Sequence, residues 1–207
     1  MVRRWGTLLA RRAANLEERG LQHIVVAGGS CAEWDDFDES DWKTRLDLLA
    51  DVARRSGARF VTVRPYEPNE SPRFRGGTDT ASGPVEGAAD RHRHIMRLSD
   101  GEMGITVSVD STIDGRQRIC DVLANWPTGS EITEAALGRA LCGDAGEPDL
   151  VVVLGPPNRL PRSLVWELAY SELVFVSASW RNLSTDDVVR AVDEFAGRSR
   201  RFGGVEE

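Results

Sequence analysis

Residues 148–180 read PDLVVVLGPPNRLPRSLVWELAYSELVFVSASW, and this stretch decides the fold. Leu150–Leu154 is a short, continuous, valine-rich run, the mark of a strand buried on both faces. Leu173–Val176 reads as a second strand, and the apolar spacing of Arg162–Ser171 predicts a helix between them. Strand, helix, strand in so short a span implies a parallel pair, the unit of an α/β sheet.

The same alternation continues outward. Thr185–Arg198 is a predicted helix; Ser184 is suited to its N-cap, and Asp186 and Asp187 to the positive end of its dipole. Toward the start, His23–Gly28, Arg59–Arg64 and Ile105–Asp110 read as strands, and Arg116–Asn125 and Glu131–Cys142 as helices. Asp41–Ser56 places Trp42, Leu46, Leu49, Val52 and Ala53 on one helical face. Gly57 suits the left-handed position just past its end. The expected fold is a single α/β domain over residues 1–207 with a mostly parallel central sheet flanked by helices. Pro65–Arg91 (PYEPNESPRFRGGTDTASGPVEGAADR) has no apolar period and reads as a long mobile or functional loop.

Composition narrows the function. The 207 residues are 41% apolar, with no run long enough to span a membrane. The formal net charge of −7 argues against nucleic acid as a partner and against attraction to anionic lipid. The start, MVRRWGTLLARRAANLEERG, reads as a docking helix with Arg3, Arg4, Arg11, Arg12 and Arg19 solvated; at most it touches a membrane surface. Cys31, Cys120 and Cys142 lack metal-ligand spacing, and point to thiols in a reducing cytoplasm. His92 and His94 read as surface histidines rather than a metal site. The run Asp35, Asp36, Asp38, Glu39, Asp41 reads as a solvated loop and helix start.

Two stretches resemble the cis-prenyltransferases, the undecaprenyl diphosphate synthase family. Trp166, Tyr170, Glu172, Phe175, Trp180, Arg201, Phe202 and Gly203 stand in that family's order and spacing. The segment HIVVAGGSCAEW keeps the family's His and Trp as His23 and Trp34. The resemblance implies an undecaprenyl diphosphate synthase-like fold. It also makes the departures informative. Gly29 stands where the family has its catalytic Asp, and Glu33 where it has an Arg that holds phosphate. Val153 and Pro161 replace an Arg and a Ser of the isopentenyl diphosphate site, and Arg159 survives there. A valine cannot stand in for a bidentate phosphate clamp. The helices that wall the family's hydrocarbon tunnel have no counterpart in the 65–91 stretch.

The resemblance therefore implies a chain that binds no metal of its own and does not catalyse alone. It is similar to the non-catalytic Nogo-B receptor type subunits, which pair with a catalytic homologue. That implies a heterodimer whose partner uses Mg²⁺, with Arg201 and Gly203 in the tail at 200–207 reaching the partner's isopentenyl diphosphate. Leu164, Val165, Leu168, Glu172, Leu173 and Phe175 are the expected interface, with a structural hydrogen bond on a helix as the alternative for Glu172. A divergent homodimer with a remodelled isoprenoid diphosphate site, and an isolated regulatory pseudoenzyme, stand as the other readings.

Overall fold

A computed structural model describes residues 20–67, 94–98 and 104–198, the backbone alone over 94–98. Six strands form one sheet in the order β3-β4-β2-β1-β5-β6: β1 His23–Ala27, β2 Phe60–Arg64, β3 His94–Leu98, β4 Ile105–Val109, β5 Leu150–Leu154 and β6 Glu172–Val176. All neighbours pair in parallel except β3, which runs antiparallel to β4. β3 escaped the sequence reading; every other predicted strand is present within a residue or so at its ends.

The pleat sends alternate residues to opposite faces. Ile24, Val26, Val61, Val63, Val107, Val152 and Val174 join one apolar core with helices α2 (Glu39–Ser56) and α5 (Thr185–Gly197). α2 begins at Asp38, whose side chain accepts from the Asp41 backbone N–H at 2.8 Å, and ends on Gly57 at φ 81°. The acidic run is thus a helix start, as its composition implied. α5 begins on Ser184 in a reciprocal capping box with Asp187. Arg45 of α2 donates to the carbonyls of Arg181 and Leu183, fixing the loop that leads into α5.

The opposite face is covered by α3 (Gly115–Ala124), α4 (Glu134–Cys142) and the chain between β5 and β6. That connection corrects an expectation. Arg162–Ser171 is not a continuous helix but two 3₁₀ turns, Arg162–Leu164 and Glu167–Ala169. Three anchors override the helical spacing. Ser163 donates to the Pro65 carbonyl at 3.0 Å, Leu164 inserts under the sheet, and Glu167 meets Arg118 of α3 at 2.6 Å. Leu164 and Glu167 lie three residues apart, the period of a 3₁₀ turn. Among the described residues no helix is long and apolar enough to cross a membrane.

Candidate functional site

The chain leaves β1 through Gly28 and Gly29 and enters the short helix α1, Cys31–Asp35. Backbone N–H groups gather at this turn, and the chain's own carboxylates take them. Glu33 accepts from Ser30 N–H at 3.0 Å, Ser30 Oγ accepts from Glu33 N–H at 3.1 Å, and Glu67 accepts from Cys31 N–H at 2.8 Å. Burial and the nearby Glu67 push the Cys31 thiol up to about 11. An incoming anion would meet two carboxylates where it needs donors.

Aromatic rings close the turn from the side. Trp34 and Trp180 are fully buried, and Trp34 Nε1 donates to the Gly28 carbonyl at 3.0 Å. Phe37 and Trp42 complete the cluster, Phe37 stacked on Trp180 at 6.1 Å and Trp42 edge-on to Trp34 at 5.5 Å. Gly29 sits beneath them at φ +75°, and a Cβ there would come within 2.6 Å of Trp34 Nε1 and 2.7 Å of Trp180 Cγ. A side chain at position 29 therefore needs both a left-handed backbone and displaced rings. A pocket of about 450 Å³ remains beside this turn, bordered by Glu33, Tyr66, Leu154, Gly155, Pro156 and Trp180, among others.

The face of the sheet under α3 and α4 is different in kind. His23 Nδ1 lies 2.8 Å from the Gly146 carbonyl and Nε2 lies 2.9 Å from Thr62 Oγ1. That fixes the neutral tautomer with the proton on Nδ1, so Nε2 accepts from the Thr62 hydroxyl. Burial pushes the His23 imidazole down from its ordinary range, against the pull of Gly146 and Asp149. Thr62 Oγ1 lies 3.1 Å from Ser108 Oγ. Further along the strands, Arg64 meets Asp110 at 2.6 Å and Glu167 at 3.5 Å, and Arg118 meets Glu167 at 2.6 Å. Burial pushes the Glu167 carboxyl up, opposed by Arg64. Burial would raise Asp110 as well, but Arg64 and Thr112 outweigh it and hold that carboxyl below its usual range.

The comparisons with known proteins address the whole chain. Residues 74–203 match the family model described as "Putative undecaprenyl diphosphate synthase". A ditrans,polycis-undecaprenyl-diphosphate synthase of Xanthomonas oryzae is 31% identical over 199 residues, covering 90% of this chain and 72% of that protein. The chain belongs to the cis-prenyltransferase family. An isoprenyl transferase of Listeria innocua is 32% identical over 111 residues, 49% of this chain and 44% of that protein. The chain thus spans about half the length of several curated relatives in such matches. A probable undecaprenyl diphosphate synthase from Campylobacter jejuni superposes with a TM-score of 0.55 at 17% identity, over 89% of this chain and 99% of that one. A lavandulyl diphosphate synthase from Lavandula x intermedia, in complex with dimethylallyl diphosphate, gives 0.55 at 15% identity over 88% and 98%. These two structures establish the shared fold.

Within this cis-prenyltransferase fold the predicted positions fall into three groups. Gly29 and Glu33 lie together at the β1 turn, as described. Val153 is fully buried in β5 and Pro161 is buried, whereas Arg159 is exposed on the loop between them. No anion clamp forms from these three. The predicted interface residues divide. Val165 is 40% exposed, Leu168 is half-buried in the second 3₁₀ turn, and Leu173 and Phe175 are half-buried along β6, the edge of the sheet. Leu164 is corrected: it is 0% exposed, packed under Val25, Ala27, Val151 and Val153, and offers no surface. Glu172 opens β6 instead of standing on a helix, and Arg198 pairs with it at 3.3 Å. Arg201, Gly203, His92, the basic start and most of the 65–91 stretch lie outside the described residues. Of the cysteines, Cys120 is exposed and none is in a disulfide.

The Mg²⁺ that the resemblance implies does not fit this chain's own turn. Gly29 has no room for a carboxylate, Glu33 and Glu67 are already engaged with backbone N–H groups, and no group of three or more ligating side chains is placed for a metal among the described residues. The reading of the sequence missed Arg64, Asp110, Arg118 and Glu167. A signal existed: Thr62 and Arg64, and Thr106, Ser108 and Asp110, alternate as polar residues along strands whose other face is apolar.

Proposed function

We propose that this chain is the non-catalytic subunit of a heteromeric cis-prenyltransferase that makes polyprenyl or short isoprenoid diphosphates. The observation that carries the reading is the β1 turn. The Ser30 and Cys31 amides are taken by Glu33 and Glu67, and a side chain on Gly29 would have to displace Trp34 and Trp180. Diphosphate departure needs cations and preorganised donors on the developing negative charge, and this turn supplies neither. The partner is a catalytic homologue, whose own carboxylates hold Mg²⁺. This chain supplies an interface along β6 and the Arg201-Phe202-Gly203 tail, whose guanidinium would hold isopentenyl diphosphate in the partner's site.

The test is co-expression with a family member from the same genome that keeps the Asp. The expected result is a complex that incorporates labelled isopentenyl diphosphate, while this chain alone does not. Arg201→Ala should leave the complex assembled and slow it about ten- to hundredfold, the loss of a charged hydrogen bond worth about 1.5–3 kcal/mol. Steady Mg²⁺-dependent product from the isolated chain would overturn the reading. A second reading rests on the 450 Å³ pocket beside the same turn: a homodimer that binds an isoprenoid diphosphate at a remodelled site. It predicts saturable binding of dimethylallyl diphosphate to the isolated chain.

A further inference from the structure

Arg64 ends β2, and Pro65, Tyr66 and Glu67 then run past the β1 turn as a strap, with Tyr66 as one wall of the 450 Å³ pocket. Two sets of anchors hold this strap. On one side it pairs with the turn. Gly28 N–H donates to the Arg64 carbonyl at 3.0 Å, Tyr66 N–H to the Gly29 carbonyl at 2.8 Å, and Cys31 N–H to the Glu67 carboxylate at 2.8 Å. On the other side it is tied to the connection between β5 and β6. Ser163 Oγ donates to the Pro65 carbonyl at 3.0 Å, and Glu167 lies 3.5 Å from the Arg64 guanidinium.

The strap in this position carries a cost that its neighbours do not offset. Tyr66 is 4% exposed, and its hydroxyl has no hydrogen-bond partner among the described residues. A phenol buried in that way has given up its water for nothing in return. The ring lies so close to Gly155 that a Cβ there would come within 2.5 Å of Tyr66 Cε1. Moving the ring away from Gly155 returns the hydroxyl to water. It gives up the buried ring surface and the anchors, of which the Cys31–Glu67 contact is only half-buried. The anchors therefore decide the balance, and segments held by a few such bonds open before the core does. Two of those anchors, Ser163 and Glu167, belong to the connection and not to the turn.

We propose that Arg64–Glu67 is a strap that closes the pocket beside the β1 turn, and that the connection at 162–167 sets its position through Ser163 and Glu167. With the strap closed, Glu67 caps the Cys31 amide and Tyr66 walls the pocket. With it open, the amide and the pocket are released together. Val165 and Tyr170, beside the anchors, are 40% and 38% exposed. A body seated on that surface acts on the pocket's wall through the same two contacts. The device lies within one chain, so it stands whether or not the subunit reading holds.

The experiment is amide hydrogen exchange of the full chain, read by NMR at Cys31 and Tyr66. The reference is the Ala58 amide, which donates to the Ala53 carbonyl at 3.0 Å just past the end of α2. Ser163→Ala removes the tie to Pro65. It should speed exchange at Cys31 and Tyr66 about two- to tenfold, the loss of one hydrogen bond, and leave Ala58 unchanged. Ser163→Cys, closer in volume, takes its place if that variant does not fold. Gly155→Ala pushes on the Tyr66 ring and should speed the same two amides. Tyr66→Phe removes the unpaired hydroxyl and should slow them. Wild-type exchange at Cys31 and Tyr66 in the folded Ser163 variant overturns the proposal. So does equal acceleration at Ala58, which marks a general loss of stability, or faster exchange at Cys31 in Tyr66→Phe.

Discussion

The two faces of this sheet bury their side chains by opposite means. Toward α2 and α5, strand valines and isoleucine meet helix leucines and alanines, and the rings of Trp34 and Trp180 close the strand ends. Toward α3 and α4, an apolar strip of Val25, Ala27, Val151, Val153 and Leu164 covers β1 and β5, and β2 and β4 bring ion pairs and hydroxyls. The first face buries the charge of Arg45, which is spent on the carbonyls of Arg181 and Leu183, and its stability otherwise follows apolar area. The second depends on every partner being in place, because a half-satisfied buried network is worse than an apolar one. The two faces should therefore answer differently to substitution.

Breaking the polar face should have the largest effect. Arg118 has Glu167 as its ion-pair partner at 2.6 Å, and Arg64 shares it. Glu167→Gln keeps the shape and removes the charge. It should destabilise the chain by about 3–5 kcal/mol, since one guanidinium is left buried without its counter-charge. The double variant Arg118→Met, Glu167→Leu should recover a large part of that loss. Urea unfolding measures both. A cost below about 1 kcal/mol for Glu167→Gln would place the pair in the range of solvated surface bridges and erase the contrast between the faces.

The apolar side offers a second test at Gly29. Gly29→Asp introduces the carboxylate that the resemblance implies, but it has to adopt φ near +75° and push into Trp34 and Trp180. The left-handed backbone costs about 1–2 kcal/mol and the overpacking about 1–3 kcal/mol more. The variant should therefore lose stability in urea unfolding and gain no prenyltransferase activity. Unchanged stability would mean that the rings move aside readily, and that the turn has kept room for the family's chemistry.

How much of this was legible follows from the same division. The strand alternation, the caps at Asp38 and Ser184 and the turn at Gly57 are local, and local chemistry is written in neighbouring residues. β3 was not readable because HIMRL sits between polar stretches and owes its pairing to β4, the edge it completes. The 3₁₀ path of 162–169 was not readable because its anchors are distant: Pro65 for Ser163 and Arg118 for Glu167. At the β1 turn, the resemblance singled out Gly29 and Glu33 as departures. It did not show that Glu33 and Glu67 cap the turn's amides or that Trp180 packs beside Gly29, since Trp180 and Glu67 come from far along the chain. The polar face was half legible: the alternation of Thr62 with Arg64 and of Ser108 with Asp110 was on the page, but their mutual pairing was not.

The smallest expected effect is a pH dependence that belongs to the polar face alone. His23 is buried, neutral and held between Gly146 and Thr62, and burial lowers its pKa from the ordinary 6.5. The groups that act on it are Asp149 and Glu167, which raise it, and Arg64, which lowers it. The sign follows from linkage. Above pH 6.5 both folded and unfolded chains carry a neutral imidazole, and His23 contributes no slope. As pH falls below 6.5 the unfolded chain takes up a proton that the folded chain refuses, so stability declines until the lowered folded pKa is reached. The urea midpoint should thus be level from pH 8 to about 6.5 and drop toward pH 5.5. His23→Gln, which does not titrate, should start lower at pH 8 because it cannot satisfy both partners, yet lose less on acidification. Parallel slopes for the two proteins would assign the acid sensitivity to other groups, and would leave His23 as packing instead of as part of a network that must stay neutral.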